Sequence, residues 1–495
     1  MTSADSLSDS RRRAIAMAIL VLAFALRAWR LHAVGFTADE VSELQSARKS
    51  IVSMLLDEDD DLFPPLYRPT AAMWNRLWGT ELATRWLNVA YGVAATWFVW
   101  LAAVELLGDR RAVWPALLFA TAPFHVHYCR EGRAYALYVL FAAIAFWAAL
   151  AVWRRGEPRH WIALTVASAA AVWTHYFAGP LVVVVWAWLA VATLRTSDWK
   201  PFVAAAGVLA ILLAPTPLVL RRAMADHPDE HLTASFDKET YAYAYLVQST
   251  GYTLGPSMLE LRSIDAREGA RQMLPWAIVI GLAWAVLVAS GVTLLAGEAS
   301  LWLLLTTFFV LVPLLGFGGN LVGVGFFYRY AAWLPIPYAL LLGAGASRNP
   351  RPWIVACATA TLLLVHGVAY YNRLFDARYA EEDFRAVAAR LDELASPDDP
   401  VIVASPYMAA ALNYYRPADR AAASFPIFSQ AAERRERDIA AFLAGVQPGQ
   451  RYWIVSQWLP RTDVRRETRD ATLRDLGARF RAELNQTEIY EATRE

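Results

Sequence analysis

The chain has 495 residues, of which 57% are hydrophobic and only 18% charged, with a formal net charge of +1 and a mean hydropathy of +0.31. About a quarter of the residues of a soluble domain are charged, so this composition excludes an ordinary soluble enzyme, and a charge so near zero gives no basis for a nucleic-acid partner. Two cysteines, Cys129 and Cys357, are too few for a disulfide framework; Cys357 sits in an apolar run and is expected in the core.

Apolar runs of about 18 to 22 residues, the length a helix needs to cross a bilayer, recur along the chain. They cover roughly 14–33, 86–107, 112–127, 134–153, 161–176, 178–195, 201–220, 272–296, 300–320, 326–346 and 352–371. The expected fold is therefore an α-helical multi-pass membrane protein with about eleven transmembrane helices. The first run follows the basic "SDSRRR" as a signal peptide would. Its apolar core is longer than a usual signal core and its far end carries Arg27 and Arg30, so it is read as a retained anchor. "VGFTADEVSEL" (34–44) comes next and sets Asp39 beside Glu40. Thr37 or Asp39 there suits a helix N-cap, and acids suit the positive end of a helix dipole.

Basic residues in short loops mark the cytoplasmic side. They are Arg11, Arg12 and Arg13, then "GDRR" (108–111), "WRRGEPRH" (153–160), "RTSDWK" (195–200) and "SRNPRP" (347–352). The N-terminus is then cytoplasmic, and three segments face outward at length: about 34–85, about 221–271 and 372–495. The last segment reads as a small extracytoplasmic α/β domain following a membrane domain over 1–371. "DFRAVAARLDEL" (383–394) and "MAAALNYY" (408–415) have helical spacing, while "DDPVIVAS" (398–405) and "RYWIVSQW" (451–458) read as strands. It contains no GxGxxG or GxxxxGK[ST] motif, so it is assigned no nucleotide.

Ionisable groups in spans are functional candidates, yet the span centres are nearly clean. Polar residues collect at outer ends instead: Arg27 and Arg30, Asp39 and Glu40, "HVHYCREGRAY" (125–135), "THYF" (174–177) and "FYRY" (327–330). Each group has a plain explanation. Arg27 and Arg30 suit snorkelling to headgroups. His125 and His127 share a face only on an extended segment, Glu131 and Arg133 suit an interfacial ion pair, and His175 suits a packed core. Their coincidence at one depth points further. A transporter would place such groups near the midplane, whereas here acids, arginines and histidines share the outer interface. That set suits transfer from a membrane-bound donor with a phosphate leaving group. A carboxylate deprotonates the acceptor hydroxyl, and arginine forks hold the departing phosphate. Arg329 follows the glycine-rich, expectedly flexible "GFGGNLVGVG" (316–325) and begins a span with Trp333, Pro335 and Pro337. It is expected to hold the donor phosphate with Arg133 as helper.

In order, "TADE", "PPLYRPTAAMWNRLWGTELATRWLN" (64–88), "REGRAYALY" (130–138), "THYFAGPL" (174–181), "FYRYAAWLPIPYALLLGAG" (327–345) and the C-terminal "EEDFRAVAARL" (381–391) span nearly the whole chain. This order resembles the bacterial GT-C glycosyltransferases related to protein O-mannosyltransferases and aminoarabinose transferases. The resemblance implies an inverting transfer of a sugar from a polyprenyl-phosphate donor to a hydroxyl of an extracytoplasmic glycan, lipid or protein, at the inner membrane. It maps the first-loop acids to Asp39, the base, and Glu40, which is expected to orient Asp39, a basic residue or a metal. It maps the E-x-R-x-Y element to Glu131, Arg133 and Tyr135. Donor or phosphate binding falls to Arg133, Arg329, Tyr330, Glu131, Tyr135 and Arg30, while His175, Tyr67 and His127 are candidates for the acceptor side or a metal. Many members carry His just before PPLY; this chain has Phe63 there, after the acidic run "DEDDD" (57–61). Some members use a divalent cation and others none, and both stay open here. The outer C-terminal domain is expected to assist acceptor binding. The competing readings are a lipid or polysaccharide transporter and a diphosphate-donor polymerase or ligase.

Overall fold

A helix satisfies every backbone N–H and C=O within one segment, which a hydrocarbon environment demands. Most of the apolar runs fold this way. In this computed structural model the described residues are 8–50, 65–79, 83–193, 199–226, 238–322, 326–348, 352–424, 432–459 and 464–494. The acidic run at 57–61 and Phe63 lie outside them. The chain divides into two units. The first comprises Met1–Trp29, Ala47–Leu254 and Leu274–Tyr371, and the second Arg30–Ser46, Gly255–Met273 and Asn372–Glu495.

The first unit is helical. Among the described residues, six helices are long and apolar enough to cross a membrane: Ala83–Leu107, Tyr135–Arg155, Lys200–Arg221, Arg267–Leu294, Ala299–Asn320 and Pro352–Phe375. Ala178–Thr193 and Pro335–Ala346 are apolar but shorter. Several expected runs are broken for local reasons. The run at 112–127 becomes Val113–Thr121 and Pro123–Tyr128, because Pro123 starts a new helix where it could not continue one. The run at 326–346 keeps only Pro335–Ala346 as α-helix, after a 3-10 turn over Tyr328–Ala331. The glycine-rich stretch expected to be flexible is instead helical through Val322, as the end of the helix Leu311–Val322. Its apolar neighbours outweigh the conformational freedom of its glycines.

Small side chains set the packing. Ala83–Leu107, Tyr135–Arg155 and Pro158–Thr174 lie side by side, with Ala95, Ala102, Ala103, Ala142, Ala143 and Ala149 fully buried. Apolar lipid gives no hydrophobic drive between helices, so close van der Waals approach must hold them. The tightest approach is at Gly345, where a methyl group would overlap the Leu287 carbonyl. Cys357 is exposed on Pro352–Phe375 and not in the core as expected. A helix that faces lipid is apolar on its outside too, so an apolar context does not signal burial.

The second unit carries a five-stranded mixed sheet. Its strands are β1 (Val401–Val403), β2 (Ala423–Ser424), β3 (Arg451–Gln457), β4 (Arg479–Leu484) and β5 (Thr487–Thr493), in the order β2-β1-β3-β5-β4. β1 runs parallel to β2 and β3, and β5 runs antiparallel to β3 and β4. Asn485 and Gln486, at φ 42° and 73°, make the two-residue hairpin loop, and left-handed backbone there matches the strand twist. Ile402, Ile454, Tyr452 and Val446 form the core beneath. Residues 30–46 are tied into this same unit. The Phe36 N–H donates to the Tyr415 hydroxyl at 2.7 Å, and the Arg385 guanidinium donates to the carbonyls of His32 and Ala33 at 3.0 and 3.1 Å.

Candidate active site

The sequence-selected residues fall into both units. In the second unit, Asp39 and Glu40 occupy the first turn of the helix Ala38–Arg48. Thr37 is its N-cap. The Thr37 hydroxyl accepts from the Glu40 N–H at 3.3 Å, and a Glu40 carboxylate oxygen accepts from the Thr37 N–H at 3.0 Å. This is a reciprocal capping box, and Glu40 is buried in it. Asp39, at the same turn, is half-buried. Arg30 has a left-handed backbone, φ 53°, and its guanidinium lies 5.1 Å from the centre of the Phe375 ring. Its exposed guanidinium packs over an aromatic ring.

In the first unit, residues distant in sequence gather around two arginines. The short turn 129–134, between the helix Pro123–Tyr128 and the helix Tyr135–Arg155, carries Glu131 and Arg133. Arg133 is buried, with its guanidinium 5.7 Å from the Tyr135 ring centre. Burial lowers its pKa; Tyr135 opposes that, and nearby Arg329 adds to it by repulsion. The Arg329 guanidinium stands 4.9 Å from the Phe327 ring centre. Tyr330 stacks on Phe177 at 4.2 Å, and His175 lies 5.6 Å from both the Tyr135 and the Tyr330 rings. His175 also stacks on Tyr138 at 5.1 Å, and its Nδ1 accepts from the Phe177 N–H at 3.3 Å. His127 pairs with Glu131, Nε2 to Oε1 at 2.9 Å. Tyr67 is buried against Ala71, Ala134 and Leu137.

Two expected polar groups turn out to be structural. Arg27 is fully buried, so it does not snorkel. It donates to the carbonyls of Ala23 and Ala120 at 2.8 and 3.0 Å and meets His125 Nδ1 at 2.8 Å. His125 and His127 stand on a helix and not on an extended segment, so one turns to Arg27 and the other to Glu131. They do not form a pair.

Three residues of the cluster were not legible as site residues. Tyr128 and Tyr252 join hydroxyl to hydroxyl at 2.9 Å, and the Tyr252 ring lies 5.1 Å from His127. Tyr252 has φ 68°, costly for a side chain with a Cβ and the kind of strain that collects at functional sites. Burial, Glu131 and Tyr135 push the Tyr128 phenol well above its ordinary pKa, so it stays protonated. The third is Asn88, whose amide nitrogen donates to the backbone carbonyls of Glu131 and Arg133, the latter at 2.7 Å. Its signal was available as an amide in the first turns of an apolar run.

The fold is similar to that of ArnT and of an archaeal oligosaccharyltransferase. ArnT from Cupriavidus metallidurans in the apo state is similar over 97% of each chain, with a TM-score of 0.57 at 14% identity. The same protein bound to undecaprenyl phosphate gives 0.55 at 13%, again over 97% of each chain. The apo oligosaccharyltransferase of Archaeoglobus fulgidus is similar over 91% of this chain and 70% of that one, with a TM-score of 0.52 at 11% identity. Residues 64–219 match the model of the family described as dolichyl-phosphate-mannose-protein mannosyltransferase. No curated protein matches the sequence.

Proposed function

We propose that the chain is a membrane glycosyltransferase that moves a sugar from a polyprenyl-phosphate donor to a hydroxyl of an extracytoplasmic glycan, lipid or protein. The observation that carries this reading is the pair Arg133 and Arg329. Two guanidiniums close enough to repel, set among Tyr135, Tyr330 and His175, gain most from an anion. A phosphate monoester offers the oxygens that guanidinium forks match. The fold and the family match over 64–219 support the same chemistry, and the similar ArnT was captured with undecaprenyl phosphate.

In this mechanism Asp39 takes the proton of the acceptor hydroxyl as its oxygen attacks the sugar's anomeric carbon. The bond from that carbon to the phosphate oxygen breaks, and the electron pair leaves with the phosphate, which Arg133 and Arg329 neutralise. Attack opposite the leaving group inverts the anomeric centre. Donor roles are assigned to Tyr330, Tyr135, Glu131 and Arg30, and acceptor roles to Tyr67 and His175. The proposed arrangement has about eleven spans in the inner membrane, the N-terminus in the cytoplasm, a catalytic domain over 1–371 and an extracytoplasmic domain over 372–495. A divalent cation is the candidate cofactor. His127 Nε2 and Glu131 Oε1, 2.9 Å apart, are an imidazole and a carboxylate suited to ligate one. Such an ion would add positive charge near the leaving phosphate, and transfer that survives chelation excludes it.

The test uses purified protein in liposomes with a polyprenyl-phosphate sugar. Release of polyprenyl phosphate with sugar on the acceptor supports the reading. Movement of lipid or glycan across the bilayer without transfer overturns it in favour of a transporter. Turnover only with a diphosphate-linked donor favours a polymerase or ligase.

A further inference from the structure

Asn88 sits in the second turn of the helix Ala83–Leu107 and is fully buried. Its amide nitrogen faces three oxygens: the backbone carbonyls of Glu131 and Arg133 and, at 3.4 Å, the Tyr67 hydroxyl. An amide NH2 has two hydrogens, so the carbonyls take both and the phenol contact is secondary. Those carbonyls flank Gly132. One side chain on a regular helix therefore pins both sides of the turn that carries Glu131 and Arg133. Among the described residues, nothing donates to the buried Oδ1 of Asn88. A position serving only helix packing would shed that unmet polar atom for an apolar side chain.

We propose that Asn88 is a positioning residue of the donor-phosphate site. It fixes the backbone at 131 and 133 so that the Arg133 guanidinium enters the aromatic cluster beside Arg329. The inference rests on the reading of Arg133 as a phosphate-holding residue. It joins three stretches separate in sequence: the Tyr67 region, the start of the helix Ala83–Leu107 and the 130–135 turn. Asn88→Asp preserves the shape while replacing the donor by an oxygen. That oxygen then faces two carbonyls, and the turn is released.

The experiment compares the full-length protein with Asn88→Asp, Arg133→Gln and the double variant, in liposomes with a polyprenyl-phosphate sugar. Asn88→Asp should raise the KM for donor about tenfold or more, the scale of one lost hydrogen bond to a charged site. The KM for acceptor should stay within about twofold, since the turn that Asn88 pins carries the donor-side Glu131 and Arg133. In the Arg133→Gln background Asn88→Asp should add less than about twofold, because residues acting through one another are not additive. A purely structural Asn88 would lower the active fraction and leave donor KM alone. That result, or additive effects in the double variant, overturns the inference. A silent Arg133→Gln beside a strong Asn88→Asp sinks the phosphate reading of Arg133 instead. Should Asn88→Asp fail to accumulate, Asn88→Ser keeps one donor and carries the same test with a smaller shift.

Discussion

Arg329→Lys separates a phosphate clamp from a cation that merely sits at headgroup depth. Lysine keeps the charge and nearly the reach, and loses the planar fork. Arg329 already spends one face on the Phe327 ring, 4.9 Å away. That contact forms without donor, so its loss is expected to change stability by about 1 kcal/mol and to leave donor affinity alone. What the exchange removes from the complex is one of two parallel charge-assisted hydrogen bonds, about 1.5–3 kcal/mol. At about 1.4 kcal/mol per decade, donor affinity should fall roughly 10- to 150-fold. Turnover should fall too if the fork tightens on the phosphate as charge develops. The assay varies a polyprenyl-phosphate sugar at saturating acceptor. A donor KM and a turnover both within twofold of the parent would refute the clamp and remove Arg329 from the site.

Asp39→Asn should lower turnover by about two to four orders of magnitude, the usual worth of a general base, with protein level unchanged on a membrane immunoblot. Arg27→Met leaves the carbonyls of Ala23 and Ala120 and the His125 ring without their donor, at roughly 1–3 kcal/mol for each buried group orphaned. Thermal stability should drop clearly while the folded fraction keeps its donor KM. Ending the chain at Tyr371 removes Tyr415 and Arg385, which hold residues 32–36. Such a truncation should lose transfer as completely as Asp39→Asn does, beyond any loss of acceptor affinity. Full transfer at high acceptor concentration would show that the acid-bearing segment needs no such anchor.

Helix and strand identities were legible wherever period and length agreed. The expected helix at 383–394 is Phe384–Leu394, and the expected strand at 451–458 is β3. Boundaries failed where a proline or a glycine-rich run lay inside a hydrophobic stretch. Hydropathy reports which solvent a segment tolerates, not where its hydrogen-bond ladder stops. Pro123 splits one run, and Leu311–Val322 continues through its glycines. The candidate site was legible through its charged residues, because charge in an apolar chain is conspicuous. The supports were not. Tyr128 and Tyr252 look like ordinary belt aromatics, and Asn88 acts on backbone atoms that no motif records. Arg27 misled for the opposite reason: its charge stood out, yet among the described residues it meets carbonyls, a histidine and Cys129.

The same distinction bears on the two adjacent acids. Before folding, Asp39 and Glu40 have equal claims to serve as base, since both are carboxylates one residue apart. A helix starting at Ala38 makes them unequal. Position N3 points back along the axis toward the cap, so the Glu40 carboxylate is taken up by the Thr37 N–H and buried there. A carboxylate engaged by the backbone in this way is tied to the cap and turned away from an incoming hydroxyl. Asp39, at N2, is half-buried in the same first turn. It sits at the positive helix end, where a carboxylate is favoured. Thr37→Val therefore tests the division of labour between them. It breaks the box, costs about 1 kcal/mol as lost N-caps do, and should lower turnover only as far as the first helical turn frays. A loss equal to that of Asp39→Asn would mean that Glu40, through its contact with Thr37, carries the chemistry.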